Sequence, residues 1–300
     1  MILCCGEALI DMLPRESRDG EPAFAPYSGG AVFNTAIALG RLGAPSGFFC
    51  GISNDLFGEQ LMRALEASNV DASLAARSDR PTTLAFVTLT DGHAKYAFYD
   101  ENTAGRMLTE DDLPALPDDL NAIFFGGISL VSEPAADAYA ALSEKAQGQA
   151  VIMMDPNIRP GFIRDEARYR ARIEAMLSRA DIVKVSDEDM DWLGTTAEDI
   201  LAAGATLVLV TRGAEGVDAV TRDGTMRVPA KPANVIDTVG AGDTFNAGLL
   251  AGLWRDKLLT RDALGAASHD DLRPAVSLGA AAAAVTVSRA GANPPWDHEL

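Results

Sequence analysis

The sequence predicts an α/β fold in which a parallel sheet carries helices on both faces. Short apolar runs typical of buried strands alternate with helical stretches from Ala122 onward. The 300 residues are 48% hydrophobic, which is enough to bury one large core. Two glycine-rich stretches, at residues 28–31 and 240–242, each open directly into a helical pattern. Strands that alternate with helices in this way indicate a sheet whose strands run parallel.

The strands and helices are predicted in a regular order along the chain. Strands are predicted over residues 2–5 with a continuation to 13, and over 24–27, 45–52, 80–90, 95–99, 122–126, 151–155, 182–185 and 207–211. Helices are predicted up to residue 43 after the first glycine pair, over 56–68, 134–147, 166–179, 187–193 and 272–287, and after the second glycine pair. Residues 15–21 read as a loop, and hairpins turn at residues 91–92 and 223–224.

Charge and cysteine content limit the possible partners and compartment. The chain has 43 acidic and 25 basic residues, a net charge of −18, which argues against nucleic acid or an anionic membrane as the main partner. Its three cysteines lie in strand-like surroundings, as expected for buried thiols in a reducing compartment. The longest apolar run is too short to span a bilayer. We therefore expect a cytoplasmic protein.

The stretch around residues 237–250 has the chemistry of an anion site. The first turn of a helix leaves amides without partners, so Gly240, Ala241 and Gly242 can bring bare N–H groups against a phosphate. Asp243 follows at once, and the helix dipole is expected to keep its carboxylate ionised, ready to accept a proton from a hydroxyl. An acid after a glycine-rich loop is also an ordinary helix cap, and that alternative remains open for this motif alone.

A second glycine-rich stretch supplies groups that suit a sugar. Gly29 and Gly30 allow close approach of the backbone, and Asn34 offers both a donor and an acceptor to hydroxyls. Asp11 is an acid inside an apolar strand, where a pair of sugar hydroxyls would satisfy it. The alternative is a surface-facing acid on an edge strand, and Glu7 has the same ambiguity.

The two glycine motifs together resemble those of the ribokinase-like (PfkB) family of sugar kinases. The resemblance implies a single ribokinase-like domain over residues 1–300, with a small β-sheet lid formed by segments at approximately 9–28 and 82–105. It implies that Asp243 is the catalytic base and that the amides of residues 240–242 form an anion hole. It also implies that Asp11, Gly29, Gly30 and Asn34 hold the sugar. A peripheral hairpin without a closing role is the alternative for the second lid segment.

Further candidates lie after the predicted strands. Asn157 and Arg159 follow one strand in a string similar to that of fructokinases and ketodeoxygluconate kinases, although the flanking prolines also suit a plain rigid loop. Ser186 and Asp189 follow the next strand, where the family has an Asn or Ser and a Glu. This implies that Asp189 holds Mg²⁺ through water, with a helix cap as the alternative.

The same resemblance assigns Ser186 and a second string to the nucleotide. The string from Thr211 through Gly213 to Gly216 resembles one that passes close to ATP in the family, although alone it is a turn. Asp237, with the closing segment at residues 290–292, resembles a site for a monovalent cation, which makes K⁺ a hypothesis.

The resemblance implies an ATP-dependent sugar kinase that uses Mg²⁺ and phosphorylates a primary hydroxyl. The strings at residues 6–11, 125–129 and 155–159 look most like those of fructokinases, with fructose 6-phosphate as the product. A ketodeoxygluconate kinase is the main alternative, with Arg106 or Arg159 facing the acid group. A sugar- or nucleotide-binding sensor without catalysis is an alternative of another class. The expected partners are the sugar and ATP, with a homodimer formed through the lid.

Overall fold

The computed structural model describes the backbone of residues 1–90 and 93–300, and it describes side chains outside residues 89–96. The hairpin turn predicted at residues 91–92 lies outside the described residues. The strands, in chain order, are β1 (Ile2–Cys5), β2 (Leu9–Glu16), β3 (Pro22–Gly29), β4 (Ser46–Phe49), β5 (Gly51–Ser53), β6 (Ala76–Ser78), β7 (Leu84–Thr90), β8 (His93–Tyr99), β9 (Ala122–Gly126), β10 (Val151–Asp155), β11 (Ile182–Ser186), β12 (Leu207–Thr211), β13 (Val217–Thr221) and β14 (Gly224–Val228).

Most helices lie where the sequence predicts them, and those over residues 197–203 and 261–266 are additional. The helices are α1 (Ala31–Arg41), α2 (Leu56–Ala67), α3 (Ala135–Ala146), α4 (Glu166–Leu177), α5 (Asp187–Leu193), α6 (Ala197–Ala203), α7 (Ala241–Arg255), α8 (Arg261–Ala266) and α9 (His269–Val287). Within the part of the chain that the structure describes, no helix combines the length and the apolar character needed to cross a membrane.

The main sheet has the strand order β14-β13-β12-β11-β10-β9-β1-β4. The strands from β4 to β12 run parallel, and β13 and β14 return antiparallel at one edge. Successive side chains point to opposite faces, so Cys4 lies in the core under α1, α7 and α9, whereas Leu3 and Cys5 lie in the core under α3, α4 and α6. The predicted parallel sheet with helices on both faces is confirmed.

Helices α7 and α9 pack with their backbones close together. A Cβ on Gly248 would lie 2.7 Å from the Cα of Gly279, and one on Gly252 would lie 2.5 Å from the Cα of Ala275. The small residues that the sequence shows in α9 therefore serve helix packing. This contact fixes the position of α7, whose N-terminus carries Asp243.

A second, four-stranded sheet, the small sheet, lies beside the first and has the order β3-β2-β7-β8. The prediction that the first strand continues to residue 13 is wrong, because β1 ends at Cys5 and β2 begins at Leu9 in this other sheet. The loop predicted over residues 15–21 is also too long. β2 continues to Glu16, which pairs with Pro22 at the start of β3.

The strand predicted over residues 45–52 is divided in two. β4 belongs to the main sheet, whereas β5 leaves it and pairs in parallel with β6 in a two-stranded sheet. The last helix begins at His269, three residues before the predicted start at Leu272, because Ser268 caps it by accepting from the N–H of Asp271.

Candidate active site

The candidate active site lies at the C-terminal ends of the parallel strands of the main sheet. β10 ends at Asp155, β11 at Ser186 and β12 at Thr211, so these three residues lie at the same end of the sheet. Helix α7 also begins at this end, where Asn246 in its second turn donates from Nδ2 to Asp155 Oδ2 at 2.8 Å. Ligands of open parallel sheets bind at this end of the strands.

The two glycine motifs meet at Asp243. Asn34 of α1 donates from Nδ2 to Asp243 Oδ2 at 2.9 Å, and the neighbouring Thr35 hydroxyl donates to the backbone oxygen of Asp243 at 3.3 Å. Asp243 is 9% exposed, so its carboxylate is nearly buried at the bottom of the site. The structure therefore brings Asp243, the predicted proton acceptor, next to Asn34, which the sequence predicts to bind sugar hydroxyls.

The backbone before Asp243 is shaped for an anion. Gly240 adopts φ 77°, in the left-handed region, and a Cβ there would lie 2.7 Å from the Cβ of Ala292, so only glycine fits. The N–H of Ala241 already donates to the oxygen of Thr238 at 3.3 Å. Among the described residues, the N–H groups of Gly242 and Asp243 have no acceptor. The N–H of Gly240, just before α7, has no acceptor there either, so these three amides are the free donors of the expected anion hole.

The ionisation of Asp243 differs from the expectation. The pKa of Asp243 is raised to about 7, first by burial and then by the charges of Asp155 and Glu7, against the hydrogen bond from Asn34 and the charge of Lys184, which lower it. Desolvation is the largest effect, so the helix dipole does not hold this pKa at the low value of an ordinary carboxylate. A pKa near neutrality suits a general base, which must take up and release a proton in each cycle.

Glu7 is a structural part of the site that the sequence left ambiguous. Its Oε1 accepts the N–H of Ala31 at 2.7 Å and that of Val32 at 3.3 Å, so it caps the N-terminus of α1. Its Oε2 accepts a short hydrogen bond from the Ser129 hydroxyl. Burial raises the pKa of Glu7 above its ordinary value. The sequence signal for this capping role is that α1 follows Gly30, which has no side chain to cap the helix.

Asp11 lies where the small sheet meets α1. Its carboxylate is half-buried and makes no hydrogen bond or ion pair in the part of the chain that the structure describes, and desolvation raises its pKa to about 6. A Cβ on Gly29 would lie 2.3 Å from Asp11 Oδ2, so this glycine makes room for the carboxylate. Gly30 adopts φ 112°, and a Cβ there would lie 2.6 Å from the backbone oxygen of Glu7.

Asn157 and Arg159 lie in the loop after β10, away from the hydrogen bonds of the site. Asn157 adopts φ 40°, in the left-handed region. Arg159 is exposed, and its Nη1 donates to the oxygen of Ile158 at 3.0 Å. In the described part of the chain, no hydrogen bond joins either side chain to Asp243 or Asn34. Their role in sugar binding stays a prediction.

Asp189 has a structural role in the loop after β10, and its assignment to Mg²⁺ through water stays a prediction. Asp189 is buried, and its Oδ1 accepts the N–H of Ile158 at 2.7 Å. Its Oδ2 accepts the N–H of Ser186 at 2.8 Å and the Ser186 hydroxyl at 2.7 Å. Both oxygens are therefore used in capping α5 and holding the loop after β10. Across the described residues, no cluster of three or more His, Cys, Asp or Glu side chains suits a metal ion.

The residues predicted for the nucleotide lie at the ends of β11 and β12 and in the turn after β12. The Thr211 hydroxyl donates to the oxygen of Val185 at 3.3 Å. Gly213 and Gly216 have φ values of 52° and 102°, and a Cβ on Gly216 would lie 2.2 Å from the oxygen of Val228. Glycine at these positions thus has a turn and packing explanation, and a role in ATP binding stays a prediction.

Asp237 ties the loop before α7 to the closing segment. Its Oδ1 accepts the N–H of Val239 at 3.0 Å, and its Oδ2 accepts that of Gly291 at 2.9 Å. Each oxygen retains a further lone pair, so the carboxylate can still contribute to a cation site.

A cavity of about 620 Å³ extends between the small sheet and the end of β9. Glu7 and Ser129 form its wall beside α1, and Thr83, Phe98 and Asp100 form the wall of the small sheet. Glu7 lines this cavity and Asp243 does not, so the cavity adjoins the site at Glu7.

Arg106 lies in the wall of the same cavity. Its Nε donates to the oxygen of Glu133 at 3.3 Å, and its Nη1 lies 3.8 Å from Asp100 Oδ2. For a ketodeoxygluconate kinase, the sequence offers Arg106 as a cation that faces the acid group. The structure instead gives it a half-buried position with partners of its own.

Comparisons with known proteins agree with this architecture. The pfkB family carbohydrate kinase model matches residues 1–299. The chain is 55% identical over 279 residues to a fructokinase of Rhizobium leguminosarum bv. trifolii, covering 91% of this chain and 86% of the relative. The chain therefore belongs to the pfkB family of carbohydrate kinases, and the family expected from the sequence motifs is confirmed.

Solved structures share the same fold. A fructokinase with bound ATP from Xylella fastidiosa has a TM-score of 0.87 and 29% identity, covering 97% of this chain and 93% of that chain. A double mutant of fructokinase from Vibrio cholerae O395, in fructose, ADP and potassium ion bound form, has a TM-score of 0.83 and 26% identity, with the same two coverages of 97% and 93%. The ribokinase-like fold predicted from the sequence is confirmed.

Proposed function

We propose that this chain is an ATP-dependent fructokinase that transfers the γ-phosphoryl group of ATP to a primary hydroxyl of D-fructose, giving fructose 6-phosphate. The observation that carries the proposal is the 2.9 Å hydrogen bond between Asn34 and Asp243, beside two free amides of α7. A hydroxyl ligand, a proton acceptor and phosphate-binding amides thus share one site. The similarity to fructokinases, one of them solved with ATP, supports this assignment.

The proposed reaction uses the residues as follows. Asp11 and Asn34 orient the sugar, and Asp243 takes the proton of the attacking hydroxyl. The hydroxyl oxygen bonds to the γ-phosphorus while the bond to the β-phosphate oxygen breaks, so ADP leaves. The amides of Gly242 and Asp243 donate to the oxygens of the transferred group, where negative charge is spread.

The metal requirements are proposals of the same kind. Because the described residues offer no cluster for a metal, we propose that Mg²⁺ enters on the phosphates of ATP, with water as its other ligands. When bound, it neutralises phosphate charge. For K⁺, Asp237 is the candidate ligand, and the potassium-bound fructokinase supports it.

Fructose is favoured over a sugar acid by the similarity to fructokinases, and the cavity beside the site has more acidic than basic side chains. Glu7, Asp100 and Glu101 line it, against Arg106 and Arg164. Arg106 is already engaged by Asp100 and by a backbone oxygen, so it is not a free cation for a carboxylate. A neutral ketose avoids the repulsion that an acid group would meet there.

The test is a panel of sugars in a coupled assay for ADP release. Fructose, ketodeoxygluconate, ribose, tagatose and adenosine are compared by kcat/KM, and the product of the best substrate is identified by mass spectrometry and NMR. The proposal expects the highest kcat/KM for fructose, with phosphate on a primary hydroxyl. A preference for ketodeoxygluconate would replace the substrate, and nucleotide binding without turnover on any sugar would instead support a sensor.

We also propose a homodimer formed through the lid, which is the sheet β3-β2-β7-β8. Phe86 makes edge-to-face contacts with Phe24 at 5.0 Å and with Tyr99 at 5.4 Å between ring centroids. Phe24 and Tyr99 remain 43% and 64% exposed, and exposed aromatic clusters are typical of protein interfaces. Light scattering should give the dimer mass for the wild type and the monomer mass for a Phe24→Ser, Tyr99→Ser variant. A monomeric wild type would refute this proposal.

A cytoplasmic location is proposed from the thiols. Cys4, Cys5 and Cys50 are free and buried, as is usual in a reducing compartment. Fractionation of cells that express the chain tests this location.

A further inference from the structure

A buried ion pair lies directly beneath the first turns of α7. Lys184, in the middle of β11, is 6% exposed, and Asp155, at the end of β10, is 3% exposed. The Nζ of Lys184 lies 3.2 Å and 3.4 Å from the two oxygens of Asp155. A buried cation of this kind is costly to desolvate, so its position calls for an explanation.

The contact with Asp155 does not use all the hydrogen-bonding capacity of Lys184. Its distances are longer than the 2.7–2.9 Å or so of a well-formed charged hydrogen bond. The shorter contact to Asp155 comes from Asn246, whose Nδ2 donates at 2.8 Å. Asn246 is fully buried, and among the described residues its Oδ1 has no hydrogen-bond partner. The Lys184 ammonium thus has an N–H group that does not bond to Asp155 and can donate to another acceptor.

The free side of the ammonium faces the anion hole. A Cβ on Gly242 would lie 3.4 Å from Lys184 Nζ, so the ammonium stands beside one of the two free amides of α7. Any side chain at residue 242 would fill the space between the amide and the ammonium. Gly242 therefore leaves space for one anion to accept hydrogen bonds from both the neutral backbone amide and the charged ammonium of Lys184.

The charge of the site requires such a cation. Asp155 and Glu7 act on Asp243 as negative charges, and Lys184 acts on it as a positive one. The whole chain also carries a net charge of −18. The terminal phosphate of ATP would meet strong repulsion here without a local positive group, and a buried charge acts with little screening by water.

We propose that Lys184 is a catalytic residue that donates to the transferred phosphoryl group, and that Asp155 and Asn246 position it. The inference rests on the proposed phosphoryl transfer to a sugar. The sugar oxygen bonds to the γ-phosphorus, its proton goes to Asp243, the bond to ADP breaks, and the ammonium stabilises the charge on the moving group.

The test compares Lys184→Met with wild type, using fructose and ATP. Removing a preorganised donor should lower kcat by about 10²–10³-fold. The affinity for AMP-PNP, measured by calorimetry, should fall about ten- to hundredfold, whereas the affinity for ADP changes less because ADP lacks the γ-phosphate. Fructose affinity should be unchanged. Lys145→Met, an equal change on the exposed end of α3, is the control.

A second variant distinguishes a catalytic role of Lys184 from a role limited to neutralising the charge of Asp155. The double variant Asp155→Asn, Lys184→Met removes both buried charges, so it should fold even if the single variant does not. The proposal expects its kcat to remain about 10²-fold or more below wild type. Recovery of wild-type turnover, or an equal loss of ADP and AMP-PNP affinity, would overturn the proposal. An inactive wild type would instead refute the fructokinase assignment.

Discussion

The pH dependence of turnover follows from the buried position of Asp243. Burial raises the pKa of this carboxyl to about 7, and only its ionised form can take the proton of the sugar hydroxyl. The rate should therefore rise with pH and level off above neutrality. At about pH 6 only about one tenth of the enzyme has the ionised base, so kcat/KM for fructose should be about one tenth of its plateau.

The assay measures initial rates of ADP release between about pH 5.5 and about pH 8.5 at saturating ATP and Mg²⁺. Quenched samples analysed by chromatography avoid the pH dependence of coupling enzymes. A flat profile over this range would refute the raised pKa of Asp243, or its role as the base.

A substitution of Glu7 distinguishes titration of Asp243 from titration of ATP. The carboxylate of Glu7 raises the pKa of Asp243, together with Asp155 and against Asn34 and Lys184. Glu7→Gln keeps an oxygen to cap α1 but loses the charge, so the midpoint of the profile should move to lower pH. The ionisation of ATP would not move. Glu66→Gln, on an exposed position of α2, is the matched control and should leave the midpoint unchanged.

Three further substitutions test the frame of the site. Gly29→Ala places a Cβ 2.3 Å from the carboxylate of Asp11, so KM for fructose should rise about ten- to hundredfold with AMP-PNP affinity unchanged in calorimetry. Asp189→Ala removes the cap of α5, so chemical denaturation should show about 1–3 kcal/mol less stability, while an altered Mg²⁺ requirement would support its predicted metal role. Gly240→Ala forces a side chain into the left-handed region against Ala292. It should lose about 1–3 kcal/mol of stability and much of its turnover, and unchanged kinetics would contradict the shape given to the anion hole.

The elements that carry local signals could be predicted from the sequence. The parallel strands from β9 to β12 are apolar runs bounded by helical patterns, and their order and type agree with the structure. The start of α7 after Gly240 is encoded by the glycine's left-handed backbone and by the helical pattern that follows. Asn34 and Asp243 could be chosen as candidates, but their contact depends on the packing of α1 against α7.

Features set by distant residues could not be predicted in this way. The break between β1 and β2 has little local signal, because the apolar pattern continues while the chain passes from one sheet to the other. Likewise, the pKa of Asp243 depends on burial and on neighbours from other strands, such as Asp155 and Lys184. A sequence shows that an acid follows a glycine turn, but not how deeply the fold buries it.

The role of Asp243 as the proton acceptor is tested most directly by the rate of fructose phosphorylation in Asp243→Asn. The amide keeps the size of the side chain and can still bond to Asn34, but it cannot accept the proton. The expected result is a fall in kcat of about 10²–10⁴-fold, with AMP-PNP binding retained in calorimetry. Turnover close to that of the wild type would show that another group takes the proton and would contradict the proposed mechanism.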